Sequence, residues 1–473
     1  MAKFNESKTI RTVNKSGHAA YSMADKAKLV TQVLTSFFNE AKFYGDNSAE
    51  MQETIKRVIE ADPAFVSKLA VFARREFNMR SVSHVLTAYL AHEPNGKPYV
   101  RDTVRGVCLR GDDLTEILAF YLATFGKPIP NALKNGINDA FVQLDEYSLA
   151  KYKGTGKAVK MRDILCLCRP KPMNREQSAL WKKVLENTLE TPVTWETELS
   201  ANGNTKESWE KLIDSGKVGY MALLRNLRNI IAANPSNIDK VFAQISNPEA
   251  VRKSRQLPFR FLSAYKEVSG TKALDALETA VDAACDNLPH LPGTTVIAVD
   301  VSGSMYSRVS ANSQVRCCEI GMMLGLIANR ICENAIFYEF DNHLTEVPIS
   351  HKTGILYAAV NEARASGGTN MNLPFIHMVE NNVRADRLII ISDNECNAGY
   401  NEPVSKKAAY YRSRTGNNDM WVHAIDLQGY GTQQFHGTFT NIIAGWSEKV
   451  FDFILLAEQG EGTLEKQISE YTW

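Results

Sequence analysis

Long hydrophobic runs are missing from this sequence of 473 residues. Because no stretch of about 18 uncharged apolar residues occurs, we exclude a transmembrane helix. The segment 1–17, MAKFNESKTIRTVNKSG, is cationic but lacks an apolar core behind it, so we expect no secretory signal. The eight cysteines form no CxxC pair and have no flanking histidine pattern. This spacing argues against a zinc site or a disulfide framework and favours a cytoplasmic location.

Sequence motifs of common enzymes are also absent. The nine histidines are scattered, with no HExxH pattern and no Ser/His/Asp set. The segment GTGK (154–157) is similar to part of a phosphate-binding loop. However, Lys151 and Ala158 stand where a Walker A motif needs glycine and Ser/Thr. We therefore predict that the protein is not an enzyme.

The formal net charge of +1 is unevenly distributed along the chain. Residues 1–289 hold 41 Lys and Arg against 33 Asp and Glu, whereas residues 290–473 hold 13 against 20. A basic first part predicts a polyanionic partner, and an acidic second part favours a cation.

The first part of the chain has the periodicity of consecutive amphipathic helices. Asp62-Pro63 predicts a helix start, with an N-cap carboxylate and a proline in the first turn. Successive helices with short turns and no strand pattern are typical of stacked helix pairs, as in HEAT-type solenoids. The segments 149–163 and 191–210 have loop composition, and we expect them to leave the helical stack.

The second part of the chain has a different pattern. The proline- and glycine-containing segment NLPHLPG (287–293) predicts a domain boundary, which separates residues 1–289 from residues 290–473. Beyond it, apolar segments that alternate with helical stretches predict the buried parallel strands of a doubly wound sheet. The predicted strands are 294–300, 335–340, 387–393 and 420–427. The predicted fold class is therefore α + α/β.

A candidate metal site follows the first of these strands. Asp300, Ser302 and Ser304 lie on a tight turn and offer three hard oxygen ligands, the kind that Mg²⁺ prefers. Thr369, after a glycine pair, and Asp393, at a later strand end, supply further oxygens at the edge where ligands bind such sheets. We predict Mg²⁺ or another divalent cation here. A serine-rich turn with unrelated aspartates is the alternative.

This pattern of DxSxS, then Thr, then Asp resembles the metal-ion-dependent adhesion site of von Willebrand factor A domains. The match covers residues 290–473, and every motif position is filled. The resemblance implies that the five residues hold Mg²⁺ directly or through water, in a binding module whose metal bridges to a ligand carboxylate. Glu395 is either an outer neighbour of the metal or a solvated side chain.

Basic residues cluster at several places in the first part. Five cations fall within residues 151–162, a glycine-containing segment able to follow a phosphate backbone, although a solvated surface loop is the alternative. A spacing of four places Lys97, Arg101 and Arg105 on one face if that stretch is helical. Three arginines surround a turn near residue 77. Two more interrupt a leucine-rich helix near residue 226, and because burying unpaired arginines is costly, we expect these two to face a lumen.

Over most of its length the chain resembles the Ro autoantigen family, ring-shaped RNA-binding proteins built on the telomerase–Ro–vault module followed by an A domain. The resemblance is carried by ALLRNLRNI (222–230), KYKGTGKAVKMRDILCLCRPKP (151–172), SRQLPFRFLSAY (254–265), GGTNMNLP (367–374) and ISDNE (391–395). It implies an N-terminal ring of HEAT-like antiparallel helix pairs over residues 1–289. Where the family often has a histidine before the Lys-Pro of the RPKP-like element, this chain has Arg169, a cation that still suits phosphate.

The resemblance further implies two RNA sites: a ring cavity for the single-stranded 3′ ends of misfolded RNAs, and an outer basic surface for small noncoding Y-type RNAs. It implies a role in RNA quality control or processing with an exoribonuclease as partner, and we expect a monomer that binds no membrane. The alternatives are a protein-interaction scaffold that binds partner carboxylates through Mg²⁺, and a metal-dependent nuclease. The candidate RNA-binding residues are Arg74, Arg75, Arg80, Lys97, Arg101, Arg105, Lys151, Lys153, Lys157, Lys160, Arg162, Arg169, Lys171, Arg225 and Arg228.

Overall fold

The computed structural model describes residues 10–35, 48–154, 156–190, 192, 194–254, 256, 258–308, 314–350, 352–399, 403–445, 449–460 and 464–473. The chain divides into two compact units. The first unit comprises Met1–Ala41 and Leu199–Leu464, and the second comprises Lys42–Glu198 and Glu465–Trp473. No helix in the described part of the chain is long and apolar enough to cross a membrane.

Helices dominate the part of the chain before residue 290, and a sheet follows. The α-helices are α1 Asp25–Thr35, α2 Ser48–Ala61, α3 Pro63–Arg75, α4 Ser81–His92, α5 Val100–Val107, α6 Gly111–Phe125, α7 Asn131–Phe141, α8 Glu146–Lys151, α9 Met161–Cys168, α10 Arg175–Glu186, α11 Trp195–Asn202, α12 Lys206–Asp214, α13 Tyr220–Ala233, α14 Ile238–Ile245, α15 Pro248–Ser254, α16 Pro258–Glu267, α17 Thr271–Cys285, α18 Cys317–Ile331, α19 Ile355–Asn361, α20 Leu373–Glu380, α21 Ser405–Thr415, α22 Lys449–Glu458 and α23 Leu464–Glu470. The strands are β1 Arg11–Val13, β2 Ala19–Ser22, β3 Leu291–Asp300, β4 Cys332–Phe340, β5 Leu344–Glu346, β6 Arg387–Ser392, β7 Trp421–Asp426, β8 Thr432–Gln433 and β9 Thr440–Ala444. Short 3₁₀ helices span Pro94–Tyr99 and Gly303–Tyr306.

The second unit contains stacked helices. α3 begins as the sequence predicts, because the Asp62 carboxylate accepts a hydrogen bond from the Phe65 N–H at 3.0 Å and Pro63 occupies the first turn. Its apolar face is buried, and α3 packs against α4 and α5, α4 against α6, and α5 against α7. This succession of neighbouring helices agrees with the predicted helix pairs.

The prediction of a loop over residues 191–210 is wrong for most of that segment, in which residues 191 and 193 lie outside the described residues. α11 and the first turn of α12 fall within it. Thr205 caps α12 by accepting a hydrogen bond from the Ser208 N–H at 3.2 Å, and Trp209 is fully buried. The exposed faces of these short helices are polar, so their composition is close to that of a loop.

The six-stranded sheet of the first unit has the strand order β5-β4-β3-β6-β7-β9, in which β5 alone is antiparallel to its neighbour. Helices cover both faces of the sheet. On one face, Phe375 of α20 and Tyr411 of α21 belong to the core cluster that contains Val296 and Ala298 of β3. On the other face, α18 approaches so closely that a Cβ on Gly325 would lie 2.6 Å from a methyl carbon of Val299. The doubly wound architecture is therefore confirmed.

The start of this domain and the number of its strands differ from the sequence prediction. β3 begins at Leu291, so the end of the predicted linker 287–293 belongs to the strand, and its register shifts between Leu291 and Thr294 to accommodate the Pro-Gly pair. The pattern also missed the short strands β5 and β9, and the separate three-stranded sheet β1-β2-β8. The predicted division at residues 289 and 290 stays a prediction.

Candidate functional sites

The candidate metal site lies at the carboxyl edge of the six-stranded sheet. β3 ends at Asp300 and β6 ends directly before Asp393, and the parallel pairing of Val299 with Ile391 places both strand ends at one edge. The loop that carries Thr369 is held to the DxSxS turn, because the Gly303 N–H donates to the Gly367 carbonyl oxygen at 3.0 Å. The fold thus brings together three segments that are far apart in the sequence.

Hydrogen bonds fix the Asp300 side chain within this site. Its Oδ1 accepts from the Ser302 N–H at 2.8 Å, and its Oδ2 accepts from the Ser392 hydroxyl at 2.5 Å. The hydroxyl oxygens of Ser302 and Ser304 are 3.2 Å apart. The predicted ligand oxygens of the DxSxS turn therefore share one small volume.

The electrostatics of the site fit a divalent cation. Burial raises the pKa of Asp300, and the nearby charge of Asp393 raises it further; burial also raises the pKa of Asp393. Among the described residues, Thr369 Oγ1 and Asp393 Oδ2 are buried without a hydrogen-bond partner. The described residues hold no group of three or more His, Cys, Asp or Glu side chains placed to bind a metal. The unpartnered oxygens of Thr369 and Asp393 are of the kind that a divalent cation binds.

Glu395 lies beside these residues and holds the N-terminal hairpin. Its side chain is only 3% exposed, so the solvated alternative is wrong. Its carboxylate accepts from the Ser16 N–H at 2.9 Å and from the Lys15 N–H at 3.4 Å. The Lys15 ammonium lies 4.5 Å from the ring centroid of Tyr430, and its charge opposes the rise in the pKa of Asp393. The sequence pattern did not indicate that the N-terminal segment reaches this edge of the sheet.

Asp426 is a buried carboxylate that the sequence interpretation missed. It ends β7 in register with Ser392, next to the strand end that carries Asp393. Its Oδ1 accepts from the N–H groups of Gln428 and Gly429, both at 2.8 Å, whereas its Oδ2 has no partner among the described residues. Burial raises its pKa to about 7, with a contribution from Asp393. The signal was present in the sequence, since this strand also ends in Asp.

The predicted RNA-binding arginines near residue 77 take part in contacts within the second unit. Arg74 pairs with Asp113 at 3.2 Å in the interior, and Arg80 Nε lies 2.5 Å from the same carboxylate. Burial acts against ionisation of Asp113, but the hydrogen bond from His84 and the charges of Arg80 and Arg74 hold its pKa well below the usual range. Arg75 donates from Nε to the Gly106 carbonyl oxygen at 3.0 Å. Each of the three arginines thus has a partner within the unit, and their predicted contact with RNA stays a prediction.

The predicted cationic face at Lys97, Arg101 and Arg105 is not one continuous helical face. Lys97 lies in a 3₁₀ helix, and only the two arginines belong to α5. Arg101 pairs with Asp139, and Arg105 pairs with Asp102 at 2.5 Å. All three cations are exposed, so their predicted contact with RNA stays a prediction.

The predicted basic residues from the end of α8 onward lie in different surroundings. Lys153, Lys160 and Arg162 line a cavity of about 210 Å³ together with Asn187. Lys157 instead pairs with Glu116. The remaining predicted residues of this region, all exposed, are Lys151 at the end of α8, Arg169 directly after α9, and Lys171.

The leucine-rich helix α13 forms a cationic groove with α16. Arg225, Arg228 and Arg260 line this groove, which has a volume of about 510 Å³. Arg228 pairs with Glu267 at 2.6 Å, whereas Arg225 has no carboxylate partner in the described part of the chain. Desolvation and the charge of Arg225 lower the pKa of Arg260. The two arginines predicted in α13 thus share the groove with Arg260, which is not among the predicted RNA-binding residues.

Comparison with known proteins gives these features a family context. The model of the TROVE domain matches residues 22–190 and 185–274, more than half of the chain, and the model of the Ro60 vWA domain matches residues 294–426. The chain belongs to the Ro autoantigen family. A Ro-type helical module followed by an A domain is therefore the architecture of this protein, as predicted.

The relatives of this Ro-family chain are distant. The "RNA-binding protein RO60" of Caenorhabditis elegans is 31% identical over 245 residues, which are 48% of this chain and 38% of that protein. "Telomerase protein component 1" of Rattus norvegicus is 25% identical over 375 residues, 61% of this chain and 14% of that protein. The chain thus spans well under half the length of either relative.

A solved structure supports the family fold. The crystal structure of the Deinococcus radiodurans RO (RSR) protein has a TM-score of 0.62 to this chain at 17% sequence identity. The match covers 94% of this chain and 99% of that one. At this identity the likeness shows the fold alone.

Proposed function

We propose that this protein binds RNA without cleaving it and that the groove between α13 and α16 is a principal contact for single-stranded RNA. The observation that carries the proposal is the convergence of Arg225, Arg228 and Arg260 on one open groove. Desolvation by burial lowers the pKa of Arg260, and the nearby charge of Arg225 lowers it further. A phosphate placed between these guanidinium groups relieves that repulsion and releases counterions.

The size and lining of the groove favour a single strand over a duplex. Asn229 and Gln256 also line it and offer amide donors and acceptors beside the arginines. A rigid A-form helix is too wide to enter a space of about 510 Å³ between two helices, whereas a flexible strand threads such a channel. We propose that the ligands are the single-stranded 3′ ends of misfolded RNAs, and that the protein serves RNA quality control or processing.

We assign small noncoding, Y-type RNAs to a different surface, the cations that follow α8. Lys153, Lys160 and Arg162 surround one cavity at this surface, which suits phosphates rather than base edges. In this proposal the protein acts in the cytoplasm as a monomer, and an exoribonuclease is the partner that degrades the RNA it holds.

The proposed cofactor is Mg²⁺ or another divalent cation, held by Asp300, Ser302, Ser304, Thr369 and Asp393. When bound, the ion neutralises the buried carboxylates and offers an open position to an acidic group. The support is the mutual repulsion of Asp300 and Asp393 and the unpartnered oxygens beside them. This site also favours a second candidate function, a scaffold that binds the carboxylates of a partner protein.

Salt and chelator responses distinguish the two functions. We expect a fluorescently labelled RNA with a single-stranded 3′ overhang to bind more tightly than its blunt duplex, with an affinity that falls steeply with salt and is retained in EDTA. Absence of RNA binding at low salt would contradict the proposal. Capture of an acidic partner protein that vanishes in EDTA, without any binding of RNA, would favour the carboxylate scaffold. Shortening of the RNA in Mg²⁺ would instead support a nuclease.

Replacement of Asp300 tests the metal assignment. We expect Asp300→Asn to abolish the rise in Tm that Mg²⁺ produces and to raise the Tm of the metal-free protein at pH 8, because the amide removes the repulsion with Asp393. Thermal melts in EDTA and in Mg²⁺ measure both effects. Asp419→Asn, at an exposed position, is the control. An unchanged Mg²⁺ response of Asp300→Asn would remove Asp300 from the site.

Charge reversal tests the surface after α8. We expect Lys153→Glu/Lys160→Glu/Arg162→Glu to weaken binding of a stem-loop RNA by about tenfold or more at moderate salt, because the variant loses several phosphate contacts. The affinity for a short single strand should change less. Lys182→Glu/Lys206→Glu, two exposed cations outside the cavity, is the control. Equal affinities of the two variants for the stem-loop RNA, measured by electrophoretic mobility shift, would exclude this surface as its binding site.

A further inference from the structure

The second unit contains a cleft that combines arginines with tyrosine rings. It lies among α5, α6, α7 and α8 and has a volume of about 740 Å³. Arg101, Arg105 and Arg110 line it together with Tyr147 and Tyr152. Of these five residues, only Arg101 and Arg105 are among the predicted RNA-binding residues, so Arg110 and the two tyrosines have no role in the predicted function.

The two tyrosines offer ring surfaces next to cations. Tyr147 is 50% exposed, so part of its ring is accessible to a ligand. The Arg110 guanidinium lies 5.2 Å from the ring centroid of Tyr152. The Lys151 ammonium lies 5.7 Å from both ring centroids. Cation–π contacts of this kind hold aromatic rings in place before a ligand arrives.

The charge of the cleft favours an anion. Arg105 pairs with Asp102, and Arg110 lies 3.2 Å from Asp112, but neither of these carboxylates lines the cleft. Asp139 is the one acidic side chain of the lining, and it pairs with Arg101. Arg105 and Arg110 therefore line the cleft, while the carboxylate that each of them pairs with lies outside the lining.

Hydrogen-bonding groups complete the lining. The Gln143 side chain is exposed and makes no hydrogen bond with any residue that the structure describes, so its amide offers one donor group and one acceptor. Aromatic faces, an amide and arginines in one cleft are the combination that a base, its edge and its phosphate need.

We propose that this cleft binds a single nucleotide, with the base on the Tyr147 ring and the phosphate toward Arg105 and Arg110. The proposal extends the proposed RNA binding by naming a base-stacking pocket. The nucleotide is either a free mononucleotide or one unpaired nucleotide of a bound RNA.

The test uses the full chain and two kinds of probe. Saturation-transfer NMR with uridine and adenosine 5′-monophosphates reports on free nucleotides, with ribose 5-phosphate as the probe that lacks a base. Isothermal titration with a single-stranded oligoribonucleotide reports on RNA. The variants are Tyr147→Ala, Tyr147→Phe and, as a matched control, Tyr410→Ala, because Tyr410 is 47% exposed and also lies near a lysine.

We expect saturation transfer to the base protons, and a loss of about fivefold or more in nucleotide affinity for Tyr147→Ala, because stacking on one ring is lost. Tyr147→Phe and Tyr410→Ala should retain the wild-type affinity. Binding of mononucleotides would identify a free-nucleotide site, and an effect of Tyr147→Ala on the oligoribonucleotide alone would identify an unpaired RNA nucleotide.

Two results would overturn the pocket. Ribose 5-phosphate that binds as tightly as the nucleotides would show a simple anion site, and equal affinities for Tyr147→Ala and wild type would exclude stacking. If the oligoribonucleotide binds the wild type in a salt-dependent way while Tyr147→Ala has no effect, the pocket fails and RNA binding stands. If the oligoribonucleotide does not bind at all, RNA binding itself fails.

Discussion

Reversing the charge of Arg225 and Arg260 together is expected to weaken the binding of single-stranded RNA by about 10- to 100-fold at moderate salt. Both side chains line the groove between α13 and α16, and Arg225 has no carboxylate partner among the described residues. The variant Arg225→Glu/Arg260→Glu therefore loses two phosphate contacts and gains two repulsive charges. Since each lost contact on a single strand contributes about 0.7 to the slope of log K against log salt, that slope should fall by about 1.4.

Matched substitutions separate this local effect from net charge. Lys253→Glu/Lys272→Glu changes the charge by the same amount at side chains that are 81% and 75% exposed and lie outside the groove. Fluorescence anisotropy across a salt series measures affinity and slope for both variants. Equal losses would attribute binding to the overall charge, and wild-type affinity in Arg225→Glu/Arg260→Glu would exclude the groove.

Removing the Asp113 carboxylate is expected to cost about 3–5 kcal/mol of the free energy of unfolding of the second unit. Asp113 is fully buried and is shared by Arg74, Arg80 and His84. In Asp113→Ala the side chain of Arg74, which is only 8% exposed, stays inside the unit without its counter-charge. Urea denaturation followed by circular dichroism measures the loss. Asp139→Ala, which removes an exposed ion pair, should cost less than about 1 kcal/mol.

The same carboxylate predicts a pH dependence. Because the pKa of Asp113 is held well below its usual range, its stabilising contribution is present above the unfolded pKa of about 3.9 and is lost as pH falls toward the folded pKa. The stability difference between wild type and Asp113→Ala should therefore shrink below about pH 4. A difference that stays constant down to pH 2 would contradict this electrostatic explanation.

The strand ends of the sheet domain were predictable because parallel strands follow a simple rule. Four apolar segments predicted β3, β4, β6 and β7, and the carboxyl ends of parallel neighbours must lie at one edge. Asp300 and Asp393 therefore come together by topology, without knowledge of any side-chain contact. Asp426 obeys the same rule and was missed only because no motif position names it.

Contacts between distant residues were not predictable from local patterns. Arg74 and Arg80 lie 39 and 33 residues from their shared partner Asp113, so nothing near them in the sequence indicates that they pair internally. Likewise, the Lys15–Glu395 contact spans 380 residues and depends on a hairpin too short to show strand periodicity. The prediction of a loop over 191–210 was wrong for a different reason, because the polar exposed faces of short helices have the composition of loops.

Crosslinking of RNA to the protein tests the central claim most directly. A single-stranded RNA that contains 4-thiouridine, irradiated in complex with the wild-type chain and analysed by peptide mass spectrometry, reports which helices the strand contacts. The account predicts crosslinked peptides from α13 and α16, which disappear in Arg225→Glu/Arg260→Glu. Crosslinks that fall elsewhere and persist in that variant would contradict a single-strand site in this groove.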